Sequence, residues 1–265
     1  MIKKLIQRFK VKIFLYWYKK SKISIKQTDY MDCKIIVRSS EDVGIFILAN
    51  IFEKSDIEFL LSELKDGDIF FDIGANIGLF SLALANKNKT IKVHAFEPIP
   101  LNAKIFEASL ELNYIESVKV NQMCVGQKLG DIEFSIAKDS AYSSIALTQN
   151  QSAVKIIKVP ITTLDYYFDA NSLQRIDIIK MDVEGAEKLV LDGAENIFSN
   201  HSIRPRLVLM ELYDEFLLKF NSSIEDIINL MNGYGYYSFI YINGKKINFD
   251  KNYYNRVCNV YFQII

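Results

Sequence analysis

The sequence predicts an α/β fold in which helices cover a mostly parallel, doubly wound sheet. Apolar runs of strand length alternate with helical segments of about 10–15 residues, and this alternation is typical of parallel sheets. The first strand of this pattern leads into a glycine-rich turn at residues 69–78. The chain has 265 residues, 50% of them hydrophobic, which is enough for one large domain and a small accessory region.

The composition excludes several classes of protein. Lysine plus arginine and aspartate plus glutamate both number 32, so no net charge favours nucleic acid. The widely spaced Cys33, Cys124 and Cys258 suit a reducing cytosol better than a disulfide framework. With only His94 and His201 in the chain, multi-histidine metal sites are excluded, and we expect His94, in an apolar run, to be a hydrogen-bonded core residue.

Residues 1–54 are predicted to precede the main domain as a small preamble. Residues 1–20 carry basic side chains and no acid, and their apolar residues follow helical spacing, which predicts a basic amphipathic helix. Two roles stay open for this helix: contact with an anionic membrane face, or packing on the domain or a second subunit. Residues 22–26 and 34–38 are predicted as short strands with a turn between them.

The main domain, residues 55–265, is predicted to begin with a helix. Ser55 and Glu58 match a capping box, in which the two side chains accept hydrogen bonds from the first free N–H groups of a helix. An apolar run follows, and Gly67 ends the helix.

The glycine-rich turn follows a predicted strand at residues 69–73. Asp72 lies at the end of this strand, Gly74 and Gly78 follow it, and an apolar helix begins at residue 79. Glycines permit close approach of a ligand to the backbone at a helix N-terminus. A dinucleotide fold would carry a further glycine where this chain has Asn76, so the turn predicts a nucleoside site and a poor pyrophosphate site. An ordinary turn without a ligand is the alternative.

An acid at the end of the second strand strengthens the nucleoside hypothesis. Residues 92–96 form this strand, and Glu97 follows Gly74 by 23 residues. In nucleoside-binding α/β folds an acid about 20 residues after the glycines accepts hydrogen bonds from the ribose hydroxyls. An ionised carboxylate is a strong acceptor for two neighbouring hydroxyls.

The middle of the chain departs from the alternation. Residues 101–112 are predicted as a helix and 118–121 as the third strand, but residues of about 125–165 read as added β-structure. This insertion is a candidate wall for an acceptor molecule, and an edge hairpin with a purely structural role is the alternative.

A second group of acids follows the later strands. Asp182, Glu184 and Glu187 come after the strand at residues 176–181, and Glu211 ends the strand at 206–210. The carboxyl ends of parallel strands face the ligand crevice, so we expect these acids to lie near the glycine-rich turn.

The last elements are a helix and an antiparallel pair. Ser223 precedes a helix that ends near residue 233, and residues 237–242 and 257–264 are predicted to pair, with a turn at Asn243-Gly244. A nicotinamide oxidoreductase would need Tyr241 and Lys245 on one face of a helix, which this turn excludes.

Several motifs together resemble the FkbM family of S-adenosylmethionine-dependent methyltransferases. The motifs are Phe71-Asp72-Ile73-Gly74-Ala75-Asn76-Ile77-Gly78, Ala95-Phe96-Glu97-Pro98 with Asn102, Thr163-Leu164-Asp165, Lys180-Met181-Asp182-Val183-Glu184-Gly185-Ala186-Glu187, and Glu211. The resemblance implies a class I methyltransferase fold, with a seven-stranded, mostly parallel sheet whose last strand is antiparallel. It also implies transfer of a methyl group to an oxygen atom, often on a sugar or a polyketide-like product.

The resemblance also assigns the cofactor site. It implies that the methionine part of S-adenosylmethionine is held by the first motif and the ribose by Glu97, and that the adenine lies beside the loop at residues 121–125. The cofactor-binding residues expected on this basis are Asp72, Gly74, Ala75, Asn76, Gly78, Glu97, Pro98, Cys124 and Asp182.

Three acids at or after strand ends are the candidates for the catalytic base. Asp182 is the first candidate for the base, since it ends the strand beside the glycine-rich turn, and Glu184 and Glu211 follow. Helix capping is an alternative role for Glu184. The family often carries a histidine two residues after the acid at 211, where this chain has Tyr213. A divalent cation on Asp182 and Glu211 stays open and is not predicted.

The partners follow from these expectations. The acceptor is expected to be a hydroxyl of a saccharide, in a surface glycan or its precursor, methylated in the cytoplasm or at the inner membrane face. No nucleic-acid partner is expected, and the oligomeric state is open. A catalytically silent nucleoside-binding protein is the alternative, and the intact acids at three strand ends argue against it.

Overall fold

The architecture is described from a computed structural model. It describes residues 24–50, 52–137, 139, 143, 145, 155–254 and 256–264. The amphipathic helix expected at residues 1–20 lies outside these ranges.

The described residues form thirteen strands and nine α-helices. The strands are β1 (Ile25–Tyr30), β2 (Cys33–Arg38), β3 (Ile69–Ile73), β4 (Lys92–Phe96), β5 (Val118–Asn121), β6 (Cys124–Val125), β7 (Gly130–Ile136), β8 (Lys155–Thr162), β9 (Ile178–Met181), β10 (Leu207–Leu212), β11 (Tyr236–Ile242), β12 (Lys245–Asn248) and β13 (Cys258–Ile264). The helices are α1 (Asp42–Leu48), α2 (Lys54–Glu63), α3 (Leu79–Lys87), α4 (Pro100–Asn113), α5 (Leu164–Ala170), α6 (Glu187–Asp192), α7 (Glu195–Ser199), α8 (Asp214–Leu217) and α9 (Ile224–Gly233).

The main sheet confirms the predicted α/β fold. Its strand order is β12-β11-β13-β10-β9-β3-β4-β5, and the pairings of β5, β4, β3, β9 and β10 are all parallel. Strand β13 is inserted antiparallel between β10 and β11. The chain order reverses between β3 and β9, and ligands of such sheets bind at the carboxyl ends of the strands beside this point.

The main sheet has eight described strands, one more than the seven expected, and the additional strand, β12, lies at its edge. The turn at Asn243-Gly244 is present, but it joins β11 to β12, while β13 pairs with the other side of β11. The prediction that this turn joins the strands at 237–242 and 257–264 was therefore wrong, although β11 and β13 pair antiparallel as expected. Tyr241 pairs with Lys246 across this hairpin, so Tyr241 and Lys245 do not share a helix face.

The β1–β2 hairpin is part of the main hydrophobic core. Its first strand begins at Ile25, three residues later than the predicted strand, and the turn is at residues 31–32. Ile35, Ile36 and Val37 are buried together with Phe70 of β3. The backbone N–H of Ile36 also donates to Ser109 Oγ of α4, 3.0 Å away. The β1–β2 hairpin thereby packs on the same face of the sheet as α3 and α4.

Two further local predictions can be compared with the fold. Helix α2 begins at Lys54, and its N-cap is Glu53 in the left-handed conformation without a side-chain capping bond, so the capping box at Ser55 was wrong. A capping box is present at α9, where Ser223 and Asp226 bond reciprocally. The expected β-insertion is a separate three-stranded sheet of β6, β8 and β7.

The core consists of two apolar layers, one on each face of the main sheet, and a small third cluster under the insertion. His94 is hydrogen-bonded as expected, with its Nδ1 2.9 Å from the hydroxyl of Tyr167, and it is half-buried. Burial lowers the pKa of His94 to about 4, with help from nearby lysines. Across the described ranges, no helix combines the length and the apolar character needed to span a membrane.

Candidate active site

The glycine-rich turn places bare backbone at the carboxyl end of β3. Gly74 has φ +75°, and a Cβ built on it would lie 1.8 Å from the carbonyl oxygen of Asp182. Gly78 has φ +81°, and its Cβ would lie 2.1 Å from the ring of Phe106. Asn76 also adopts the left-handed conformation, with φ +51°. Side chains at the two glycines would therefore push apart the strands and helices that form the turn.

Asp72 joins the end of β3 to the start of helix α3. Its side chain is 1% exposed, and its Oδ2 accepts hydrogen bonds from the hydroxyl (2.6 Å) and the backbone N–H (3.3 Å) of Ser81 in the first turn of α3. A buried carboxylate there also complements the partial positive charge of the helix N-terminus. Gly74 lines a pocket at the carboxyl ends of β3, β4 and β9, whereas Asp72 and Gly78 are not among the described residues of its lining.

Glu97 joins the ends of β3 and β4. Its Oε2 accepts from the backbone N–H of Asn76 (2.9 Å), and its Oε1 accepts from the N–H of Ile99 (2.8 Å) and from Asn102 Nδ2 (3.3 Å). Burial raises the pKa of Glu97 to about 8, although these hydrogen bonds oppose the shift. Asn102 Oδ1 in turn accepts from Arg38 of β2, 2.5 Å away.

An apolar section of the pocket lies beside Glu97. It is lined by Pro98, Ile99, Met123, Cys124, Val125 and Phe134. Cys124 is buried, and burial together with the charge of Glu97 raises the pKa of its thiol to about 12. The thiol is therefore neutral and acts here as an apolar group.

Lys180 is a site residue to which the sequence analysis assigned no role. It belongs to β9, it is 7% exposed, and its Nζ donates to the carbonyl of Gly74 (3.0 Å) and to Asp182 Oδ2 (3.1 Å). Its Nζ is also 3.9 Å from Asp72 Oδ1. Burial alone would lower the pKa of Lys180, but Asp182 and Asp72 outweigh it and hold the pKa above its usual range. Its presence within an otherwise apolar strand is the feature of the sequence that could have identified Lys180 as a site residue.

Three further carboxyl groups of the pocket lining lie close to one another. Ligand oxygens of Asp182, Glu184 and Glu211 are all within 4.8 Å of one another. The pKa of Glu184 is raised by burial and by its acidic neighbours, and the pKa of Glu211 is raised chiefly by the charge of Asp182 and by burial. Such a group can share protons or hold a cation.

The order of motifs around this pocket also matches a known family. The sequence profile of the methyltransferase FkbM domain matches residues 72–237, which is more than half of the chain. The chain belongs to the FkbM methyltransferase family. Apart from the additional edge strand β12, the sheet has the mostly parallel arrangement expected of a class I methyltransferase.

Three relatives of this FkbM methyltransferase are informative. Methyltransferase 1 of Beauveria bassiana is 25% identical over 189 residues, covering 60% of this chain and 75% of the relative. The 31-O-demethyl-FK506 methyltransferase FkbM of Streptomyces tacrolimicus is 24% identical over 202 residues, covering 66% and 74%. The hexuronic acid methyltransferase AglP of Haloferax volcanii is 28% identical over 147 residues, covering 54% and 57%.

Glu187 has a structural position in the FkbM methyltransferase. It is 1% exposed, and its Oε1 accepts from the backbone N–H groups of Val183 and Gly185, at 3.1 and 3.3 Å. Burial raises its pKa to about 7. Glu187 thus fixes the loop that presents Asp182 and Glu184.

Tyr213 packs its ring against Phe216, and histidine is absent from the described lining of the pocket.

Another acid of the pocket, which the sequence analysis missed, comes from outside the matched segment. Glu53 lines the same pocket, and its Oε2 accepts from Asn259 Nδ2 at 2.7 Å. Asn259 lies on β13 directly opposite Glu211 of β10. Phe46 and Phe52 continue this wall, with their rings stacked at 6.2 Å. No local motif marks Glu53 and Asn259, because 206 residues separate them along the chain.

Proposed function

We propose that this methyltransferase transfers the methyl group of S-adenosylmethionine to a hydroxyl oxygen of a saccharide. One observation carries the proposal. A single pocket is lined by the glycine-rich turn, by the buried carboxyl group of Glu97, and by the cluster of carboxyl groups that follows β9 and β10. The turn and Glu97 suit a nucleoside bearing an amino acid, and the cluster suits the removal of a hydroxyl proton.

The residues of the turn fit S-adenosylmethionine. The backbone of Gly74, Ala75 and Asn76 lines the pocket and would face the methionine part. The turn requires glycine at position 74, because a Cβ there would collide with the carbonyl oxygen of Asp182. Glu97 would accept hydrogen bonds from the ribose hydroxyls with the lone pairs that its backbone contacts leave free. When bound, the cofactor supplies an electrophilic methyl group.

The adenine section of the pocket is assigned to Pro98 and Cys124. Both line the apolar section next to Glu97, and a neutral buried thiol suits contact with a flat ring. Asp72 and Gly78 have supporting roles, because they hold the turn and helix α3 in place.

Asp182 is the proposed base for the acceptor hydroxyl. It lies at the end of β9 with Lys180 on one side and Glu184 and Glu211 on the other. The attacking oxygen must lose its proton, and an aligned base contributes about 10²- to 10⁴-fold to such a step. Glu184 and Glu211 would bind the acceptor hydroxyl or receive the proton from Asp182. Positioning the acceptor supplies a further part of the rate, up to about 7–11 kcal/mol.

A saccharide acceptor is supported by the walls of the pocket. Polar carboxyl groups and the stacked rings of Phe46 and Phe52 face the same space, which suits a molecule with hydroxyl groups and an apolar C–H face. One relative acts on hexuronic acid and another on a demethylated FK506. We place the reaction in the cytoplasm, consistent with three buried cysteines that are free thiols.

The proposal is tested by mass spectrometry of surface glycans from cells with and without the gene. We expect glycans from cells lacking the gene to be lighter by one methyl group in exchange for hydrogen. Unchanged glycans would contradict the saccharide assignment and favour a small-molecule acceptor.

A further inference from the structure

The described residues on the acceptor side of the pocket include many carboxyl groups and few cations. Asp182, Glu184, Glu211 and Glu53 all line it. Among the described lining residues, the only lysine or arginine is Lys180. Its ammonium group is already engaged with Asp182 at 3.1 Å and with the carbonyl of Gly74 at 3.0 Å. No described lining cation is therefore left over for a ligand.

A negatively charged acceptor would meet a high cost in this pocket. A carboxylate on the ligand would be desolvated next to four acids, and buried charges without a partner are unfavourable. The raised pKa values of Glu53, Glu184 and Glu211 point the same way, since each group is already harder to ionise because of burial and neighbouring acids. A neutral hydroxyl has no such cost, and an amino group would gain an ionic partner.

Glu53 lies where it can distinguish a neutral or amino-bearing acceptor from a negatively charged one. Its carboxyl group is held by Asn259 from β13, and Asn259 lies directly opposite Glu211 in the sheet. Glu53 thus faces the same space as the acids that follow β9 and β10. Next to it, Phe52 and Phe46 supply a stacked apolar surface. These residues lie outside the segment 72–237 that the FkbM profile matches, as expected for residues that adapt one chain to its own acceptor.

We infer that the acceptor is a neutral or amino-bearing sugar and not a uronic acid, and that Glu53 is one of its hydroxyl-binding residues. The inference rests on the proposed function, because it assigns the acceptor subsite of the same pocket. It also separates this chain from its relative that acts on hexuronic acid.

The test is ligand-observed NMR with the full chain saturated with S-adenosylhomocysteine, whose binding is first measured by calorimetry. The probes are methyl glycosides of neutral hexoses and deoxyhexoses, of glucosamine, and of glucuronic acid. We expect saturation transfer to a neutral or amino sugar and none to the glucuronide at the same concentration. Equal or stronger transfer to the glucuronide would overturn the inference, and so would the absence of transfer to every sugar.

Matched variants test the role of Glu53. Glu53→Gln is expected to lower the affinity for the bound sugar by about fivefold or more, because one hydrogen bond is weakened. Glu58→Gln, an exposed site on the same helix, is expected to leave it unchanged. Asn259→Ala, which releases Glu53, should act like Glu53→Gln. Unaltered sugar affinity in both Glu53→Gln and Asn259→Ala would overturn the role of Glu53.

The two proposals fail differently. A chain that does not bind S-adenosylhomocysteine would overturn the proposed function and the inference with it. A chain that binds S-adenosylhomocysteine but prefers the glucuronide would overturn the inference alone. Each variant must bind S-adenosylhomocysteine like the wild type, which separates loss of the sugar contact from loss of the fold.

Discussion

The carboxylate of Glu97 accepts a hydrogen bond from the backbone N–H of Asn76, with 2.9 Å between Oε2 and the nitrogen. This bond ties the end of β4 to the turn after β3, 21 residues earlier in the chain. The two parts of the proposed cofactor site are thus joined before any ligand binds. Asn76 itself has a left-handed backbone, with φ +51°.

The first prediction concerns Glu97→Gln. The neutral amide is a weaker acceptor for ribose hydroxyls, and hydrogen bonds to charged groups contribute about 1.5–3 kcal/mol, so S-adenosylhomocysteine should bind roughly 10- to 150-fold more weakly. Calorimetry measures this change, with exposed Glu116→Gln as the control. An unchanged affinity would exclude Glu97 from the ribose site.

The second prediction is a pH dependence of the same binding. Hydroxyl donors favour the ionised carboxylate, and the pKa of Glu97 without ligand is about 8. Binding therefore releases a proton below pH 8, and affinity should rise by up to about tenfold per pH unit as the pH increases to 8. Glu97→Gln should lose this dependence. A wild-type affinity that falls over this range would have the wrong sign.

The third prediction concerns Gly74→Ala. The new Cβ would lie 1.8 Å from the carbonyl oxygen of Asp182, and alanine is strained at φ +75°. We expect a loss of more than about 1 kcal/mol in the free energy of unfolding, together with weaker cofactor binding. Gly233→Ala is the matched control, because its Cβ would meet no atom within 4 Å and Gly233 ends helix α9. Thermal melts compare the two, and equal stability would contradict the close approach seen at Gly74.

The fourth prediction follows from the half-buried Glu184. Its pKa is raised in the folded protein, so between about pH 4.3, the ordinary value for glutamate, and the raised value the native state binds more protons than the unfolded state. The contribution of Glu184 to stability is therefore present at low pH and is lost as the pH rises. Glu184→Gln should melt at a higher temperature than wild type at pH 9, by about 2–4 °C for each kcal/mol, and the gain should shrink towards pH 5. Exposed Glu116→Gln should show no such trend. A gain that grows towards low pH would contradict the assignment.

The elements that local patterns determine were predictable from the sequence. The strand, the turn and the helix around Gly74 follow from hydrophobic spacing and glycine chemistry, and the position of Glu97 follows from the distance between successive strand ends. Asp182 and Glu211 were expected near the turn because parallel strands share one carboxyl edge. Both residues line the same pocket as Gly74, and β9 and β10 run parallel to β3.

Features that depend on distant parts of the chain could not be predicted. Glu53 reaches the pocket through Asn259 on β13, and no spacing rule connects them. The capping box at Ser55 was wrong because the helix begins earlier, at Lys54, after Glu53 takes a left-handed conformation. The extra edge strand β12 was missed because all four of its residues are exposed, so it lacks the apolar alternation that marks a half-buried strand.

The fifth prediction concerns Asp182→Asn. If Asp182 takes the hydroxyl proton, the variant should lose about 10²- to 10⁴-fold in turnover. Its affinity for S-adenosylhomocysteine should change much less, since the amide can still accept from Lys180. Turnover close to that of the wild type would remove Asp182 as the base and favour Glu184 or Glu211.

The central claim is methyl transfer to a hydroxyl oxygen, and one measurement tests it most directly. The purified chain is incubated with S-adenosylmethionine carrying an isotope label on the methyl carbon, together with glycans from cells that lack the gene. The products are then examined by NMR, which distinguishes methyl groups on oxygen, nitrogen and carbon. We predict a labelled O-methyl signal on a sugar, absent when Asp182→Asn replaces the wild type. Label on nitrogen or carbon, or no incorporation into the glycans, would contradict the claim.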